Sequence, residues 1–88
     1  MSTSDNFTGL IQRTNDGFIR DNIYMVGKPL LAKALKTIDS IYQDKILRNM
    51  TNDSADEVRR LMAELENLSN EESEAAQKEI MSMAQGYI

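Results

Sequence analysis

The sequence predicts an all-α fold in which a short N-terminal helix precedes a long antiparallel helical hairpin. Apolar residues recur three or four positions apart over most of the chain, which is the spacing of one helical face. The only proline, Pro29, stands just ahead of the most regularly apolar segment. Clusters of Asn, Asp and Ser separate the periodic segments and favour turns. We therefore expect one helical domain over residues 1–88.

The short N-terminal helix is predicted at about residues 5–14. Phe7, Leu10 and Ile11 occupy positions i, i+3 and i+4 of one helical face. The residues Asn15 to Gly17 are of types that tolerate turn conformations, so we expect the helix to end in a turn there.

The first long helix is predicted at about residues 29–48. Pro29 suits the start of a helix because its missing N–H costs nothing there and its fixed φ already matches the helix. A continuous apolar stripe follows, formed by Leu31, Ala34, Leu35, Ile38, Ile41, Tyr42 and Ile46. The preceding residues 18–26 have nearly helical apolar spacing, and both a short helix and an ordered loop fit them.

The second arm of the hairpin is predicted at about residues 54–86, as one helix or as two. Ser54 and Glu57 have the spacing of a capping box, in which each side chain bonds the backbone amide of the other. A second such pattern starts at Ser69, where the stripe turns polar and the helix either continues or kinks. At ~1.5 Å per residue, one unbroken helix would be about 50 Å long against about 30 Å for the first arm. The longer arm would extend past the shorter one, and its apolar stripe would be uncovered there. Because the apolar stripes are also wider than one hairpin can bury, we predict a homo-oligomer of hairpins.

Composition excludes several classes of function. The 88 residues include no cysteine and no histidine, so the usual zinc ligands and the usual general base are missing. No glycine-rich phosphate loop or calcium-binding loop occurs. We predict that the protein is not an enzyme and uses no cofactor and no metal. The lack of a basic leader or a long apolar run predicts a cytoplasmic protein with no membrane partner.

The charge of the chain is uneven. The formal net charge of -4 argues against binding to DNA or RNA polymers, which requires a basic face. Residues 1–50 carry seven basic and five acidic side chains, whereas residues 51–88 carry three and nine. A small anion would therefore bind in the first half. Alternatively, the opposite charges draw the two halves of the fold together.

Lys28 is the first candidate for an anion-binding residue. A lysine at the start of a helix is disfavoured by the helix dipole by ~0.3–1 kcal/mol, yet beside the free amides of the first turn it forms a phosphate site. The alternative is an ordinary surface turn at Gly27 to Pro29. Aromatic and basic residues nearby suit nucleotide recognition, because a base stacks on a ring and a phosphate pairs with a cation. The candidate ligand-binding residues are Phe7, Arg13, Arg20, Tyr24 and Lys28.

Two further candidates lie in the acidic second half. Arg59 and Arg60 are the basic residues of an otherwise acidic segment, which makes them possible anion contacts. The alternative is a pair with Glu64 on the same helix.

The C-terminal sequence EIMSMAQGYI is similar to the closing E-x-x-M-x-A-N-x-x-I pattern of the anti-CBASS cyclic-oligonucleotide sponges of bacteriophages. Ala84 and Ile88 match this pattern, while Gln85 replaces the Asn and Met83 replaces a tryptophan. The sequence SNEES, which starts at Ser69, resembles the S-x-E helix start of the same family. The similarity covers about the last 20 residues and the aromatic and lysine pattern of the first 30.

This resemblance implies a homohexamer that sequesters cyclic dinucleotides such as cyclic GMP-AMP without chemistry. Such a sponge blocks bacterial anti-phage immune signalling, which is a host–virus interaction that serves immune evasion in the bacterial cytoplasm. Phe7 would stack on a base and Lys28 would bind a phosphate, with the other candidate residues as neighbours. Arg59 or Arg60 would serve a second site for cyclic trinucleotides.

Two other functions fit the sequence. The chain could be an acidic helical inhibitor or adaptor of a host protein, with its exposed Leu/Met stripe docked in a groove of that partner. It could also be a purely structural subunit of an assembly. The sequence leaves the choice among these three open.

Overall fold

The fold is all-helical over residues 2–85, the residues that the computed structural model describes. Six α-helices occur in this part of the chain, and no strand does. They are α1 (Thr3–Arg13), α2 (Asp16–Asn22), α3 (Lys28–Leu35), α4 (Ser40–Leu47), α5 (Asn52–Glu64) and α6 (Asn70–Gln85), with a 3₁₀ turn at Ile23–Met25. The all-α prediction is confirmed. None of the described helices is both long and apolar enough to cross a bilayer. The predicted helix end at Gly86 and the motif residue Ile88 lie outside the described residues.

Helix α3 is the centre of the structure. Its residues Leu31, Ala32, Ala34 and Leu35 are at most 1% exposed. Helices α5 and α6 both pack against α3, and α1 packs against α6 and α4. The remaining core comes from the surrounding elements and includes Phe7, Ile11, Ile19, Ile23, Ile38, Ile46, Leu47, Met50, Ala55, Val58 and Ala76. The core therefore collects apolar residues from every helix.

The predicted long helix at residues 29–48 is two helices, α3 and α4, so the hairpin of long helices is wrong. The chain leaves the helix after Leu35 and re-enters it after Asp39, whose backbone is extended. The Gln43 side chain donates to the carbonyl oxygens of Leu35 at 2.7 Å and Ile38 at 3.1 Å. These bonds satisfy carbonyls that a continuous helix would bond to its own amides. The apolar stripe runs through the break because both helices face the same core.

Two buried polar residues attach α6 to the end of α3. The Ser73 hydroxyl donates to the Lys33 carbonyl at 2.7 Å, and Gln77 Nε2 donates to the Ala34 carbonyl at 3.0 Å. Gln77 Oε1 also accepts from the Ser4 hydroxyl of α1 at 3.1 Å. Both Ser73 and Gln77 are fully buried. Since carbonyls at a helix end have no partner within the helix, these side chains supply the bonds that water cannot.

The second arm is also two helices, because α5 ends at Glu64 and α6 begins at Asn70. The Ser69 hydroxyl accepts from the amide of Glu72 at 3.1 Å and caps α6. Helix α5 begins earlier than Ser54, since the Thr51 hydroxyl is its cap and accepts from the Ser54 amide at 3.3 Å. The predicted capping box at Ser54 is therefore wrong.

The segment after α1 is helical as well. The Asn15 side chain accepts from the Phe18 amide at 2.8 Å and caps α2. Asp16 and Gly17, which were predicted to form a turn, are the first residues of that helix. Of the two interpretations of residues 18–26, the structure has a short helix followed by a 3₁₀ turn.

We predict that Gln77→Ala lowers the free energy of unfolding by ~1–3 kcal/mol, because it leaves the buried Ala34 carbonyl without a donor. Urea denaturation followed by circular dichroism measures this change. Gln12→Ala, on the exposed side of α1, is the control and should stay within about 0.5 kcal/mol of the parent. Equal losses for the two variants would contradict the role of Gln77.

Candidate functional site

The predicted ligand-binding residues do not form one site. Phe7 lies on α1 with only 2% of its surface exposed, as part of the core. A ring that stacks on a ligand needs an open face, and little of this side chain is exposed, although it lines an apolar groove. That the other four candidates contact a ligand stays a prediction; they are Arg13, Arg20, Tyr24 and Lys28.

Lys28 is neutralised by a carboxylate from another helix. Its Nζ atom, at the first residue of α3, lies 2.8 Å from Glu57 Oε2 on α5. The hydrogen bond from Lys28, aided by its charge, holds the pKa of Glu57 below its ordinary value. Arg60 Nη2 approaches the same carboxylate at 3.9 Å. The lysine at the helix start is thus part of a bridge between α3 and α5.

Arg20 and Tyr24 each connect distant parts of the chain. The Tyr24 hydroxyl accepts from the Thr51 amide at 2.8 Å, beside the start of α5. Arg20 Nη2 donates to the side-chain oxygen of Asn49 at 3.3 Å. Both residues therefore hold the α2 segment against the chain around residues 49–51.

A second bridge joins α2 to the end of α4. Arg48 Nη2 lies 3.1 Å from each carboxylate oxygen of Asp16, and Asn49 Nδ2 donates to Asp16 Oδ1 at 3.1 Å. These hydrogen bonds, first from Asn49 and then from Arg48, lower the pKa of Asp16 from its ordinary value. Both bridges stabilise the ionised carboxylate.

The exposed side of α5 is a charged ridge, formed by Asp56, Glu57, Arg59, Arg60 and Glu64. Arg59 pairs with Asp56 at 3.2 Å, and Arg60 pairs with Glu64 at 2.9 Å. These side chains are all more than half exposed, so each pair stabilises the fold by only ~0.2–1 kcal/mol. The ridge charges are therefore available to a partner. In the described part of the chain, no three carboxylates are grouped to hold a metal ion.

An apolar groove lies between α1, α2 and α6. It encloses about 570 Å³, and its floor includes Phe7, Ile11 and Leu31. Residues along its sides include Leu10, Arg13, Phe18, Met25, Ile80 and Met83. Of the predicted ligand-binding residues, the groove brings together only Phe7 and Arg13.

This groove was not predicted from the sequence. The apolar spacing of α6 was visible in the sequence, but its exposed residue Met83 has the same spacing as its buried ones. Which apolar residues remain uncovered depends on how α2 and α6 pack, and periodicity does not report packing.

We predict that the free energy of unfolding falls as the pH decreases below about 5. The pKa values of Asp16 and Glu57 are lowered in the fold, from 3.8 and 4.5 respectively. The stabilisation that the two ionised carboxylates contribute is therefore complete above their unfolded-state pKa values. It is lost as the pH falls through their lower pKa values in the folded protein. The measurement is denaturation at a series of pH values. Between about pH 5 and pH 2, the free energy of unfolding of Glu57→Gln and of Asp16→Asn should fall less than that of the parent.

The control for this measurement is Glu66→Gln, which removes an exposed carboxylate with no cation partner in the described part of the chain. It should keep the pH dependence of the parent. A parent-like loss in both bridge variants would contradict the prediction.

The sequence pattern of the FliG C-terminal domain family matches residues 6–88, which is nearly the whole chain. No curated protein and no solved structure matches the chain.

The resemblance to the anti-CBASS sponges is wrong. It rested on about the last 20 residues and a pattern in the first 30, whereas the FliG match runs continuously from residue 6 to residue 88. The functions that the resemblance implied are corrected with it: sequestration of cyclic dinucleotides or trinucleotides, bacteriophage immune evasion, and the homohexamer. The alternative of an inhibitor or adaptor of a host protein is not supported either.

The family match begins in the first turn of α1 and runs through α6. It therefore includes the central helix α3 and all the helices that pack around it. The matched segment is not a local motif but the entire described core, and on this ground the chain belongs to the FliG C-terminal domain family.

Proposed function

We propose that the chain is a rotor domain of the flagellar motor switch, which works in the cytoplasm and acts by binding other proteins of the motor. The observation that carries this proposal is the family match over residues 6–88. A domain of this kind transmits force or conformation through contacts, so its function depends on its surfaces.

We also propose that the domain is not an enzyme. A general acid or base needs a pKa near the working pH. The two carboxylates with a shifted pKa, Asp16 and Glu57, are shifted away from neutral pH. Both are held by cations of neighbouring helices, which is the arrangement of a structural bridge.

The charged ridge of α5 is the surface that best fits this function. It presents both signs of charge within residues 56–64, and its Arg59–Asp56 and Arg60–Glu64 pairs are exposed. Exposed pairs exchange one partner for another at little cost. Charges on a protein surface accelerate association with a complementary surface and select against a wrong one. The ridge therefore suits a contact that forms and breaks repeatedly as a rotor turns.

We predict that reversing the ridge arginines impairs motility. The gene would be deleted in its native bacterium and restored as the parent or as Arg59→Glu/Arg60→Glu, with swimming speed and flagellar number measured. The parent should restore swimming, and the double variant should swim more slowly with the same number of flagella. The association of the purified variant with its motor partner should slow about tenfold at low salt.

The matched control is Lys33→Glu/Lys78→Glu, which makes the same change in net charge at exposed positions outside α5. It should swim like the parent. Normal swimming of the deletion strain would contradict the motor function, and equal defects in the two double variants would contradict the role of the ridge.

A further inference from the structure

We infer that the apolar groove between α1, α2 and α6 binds an amphipathic α-helix of another protein, with an acidic residue of that helix beside Arg13. This groove is separate from the charged ridge of α5. The inference therefore goes beyond the proposed function and does not depend on it.

The groove carries exposed apolar surface in one place. Phe18, Met25 and Met83 line it and are 44%, 52% and 38% exposed. Ile41 on α4 is also exposed but does not line the groove. Single exposed apolar residues are ordinary, whereas several around one concavity mark an interaction site. Methionine side chains adapt to the shape of a bound partner, which suits the two at this groove.

The groove offers few hydrogen-bonding groups to the backbone of an occupant. The Thr14 hydroxyl already donates to the Leu10 carbonyl at 2.6 Å, and Asn22 Nδ2 donates to the Phe18 carbonyl at 2.9 Å. The Asn15 side-chain oxygen accepts from the Phe18 amide. Each neutral polar side chain of the groove thus already makes one hydrogen bond to a nearby backbone group, which leaves few groups for the backbone of an occupant, and residues 2–85 offer no strand edge. An extended peptide would leave most of its amides and carbonyls unpaired, whereas a helix bonds its own.

The groove has a positive charge among its lining residues. Arg13 is the charged residue among those that line the groove, and it is exposed at the last position of α1. The helix dipole favours a cation there. Within residues 2–85, Arg13 takes part in no ion pair. A carboxylate of the occupant would pair with it, and a lysine in the same place would be repelled.

The test uses two synthetic helical peptides of equal length, each with leucines three and four positions apart on one face. One peptide carries glutamates at both ends, and the other carries lysines there. Each is titrated into the ¹⁵N-labelled full chain and followed by amide chemical shifts. The glutamate peptide should bind about tenfold more tightly, a difference of ~1.4 kcal/mol, and should shift signals of α1, α2 and α6. The net charge of -4 by itself would favour the lysine peptide. Tighter binding of the glutamate peptide therefore cannot come from the net charge of the chain.

Three variants locate the contact. Phe18→Ser should weaken binding of the glutamate peptide about tenfold, and the matched control Ile41→Ser should leave it unchanged, since both substitutions remove an exposed apolar side chain. Arg13→Glu should reverse the preference between the two peptides.

Four results would overturn the inference. They are no binding of either peptide, equal binding to the Phe18 and Ile41 variants, and two results that assign the groove to another occupant. One of these is self-association of the chain that Phe18→Ser abolishes and Ile41→Ser does not, which assigns the groove to a second copy. The other is binding of sodium dodecanoate without binding of a helix, which assigns it to a small amphiphile.

Discussion

The structure depends on the hydrogen bonds that other helices donate to the end of α3. The last carbonyls of this helix accept from Ser73 and Gln77 of α6 and from Gln43 of α4, and the bond to the Ala34 carbonyl is buried. An unpaired carbonyl in such a place costs ~1–3 kcal/mol, so the three donors determine where α4 and α6 lie. Apolar packing alone tolerates sliding of one helix on another, whereas a hydrogen bond fixes the position along the helix.

The two candidate surfaces follow from this arrangement. Helix α5 packs its residues Ala55 and Val58 into the core, and its charged residues therefore face outward as the ridge. Helix α6 is held against α1 and α3, which places Met83 at the same groove as Phe18 of α2. One surface is charged and the other is apolar, so they suit different partners.

The correction of the family assignment has a physical basis. The similarity at the C-terminus consisted of apolar spacing and a capping serine, and these features occur in any amphipathic helix with a good cap. Lys28 was similarly ambiguous, because a lysine at a helix start fits both an anion site and an ordinary surface turn. In the structure it pairs with Glu57, 29 residues further along the chain, and nothing in the sequence indicated this partner. A match over residues 6–88 includes residues of every described helix, which a short motif does not.

The sequence by itself determined the features that depend on neighbouring residues: the all-helical class, the helix start near Pro29 and the cap at Ser69. Each of these follows from 3.6-residue periodicity or from a side chain bonding an amide three residues away. Only the tertiary structure decided the break at residues 36–39, the partner of Lys28 and the apolar groove. The break requires Gln43, Ser73 and Gln77 to reach α3, and the groove requires three helices to meet. Such contacts join residues far apart in the chain, and local spacing carries no information about them.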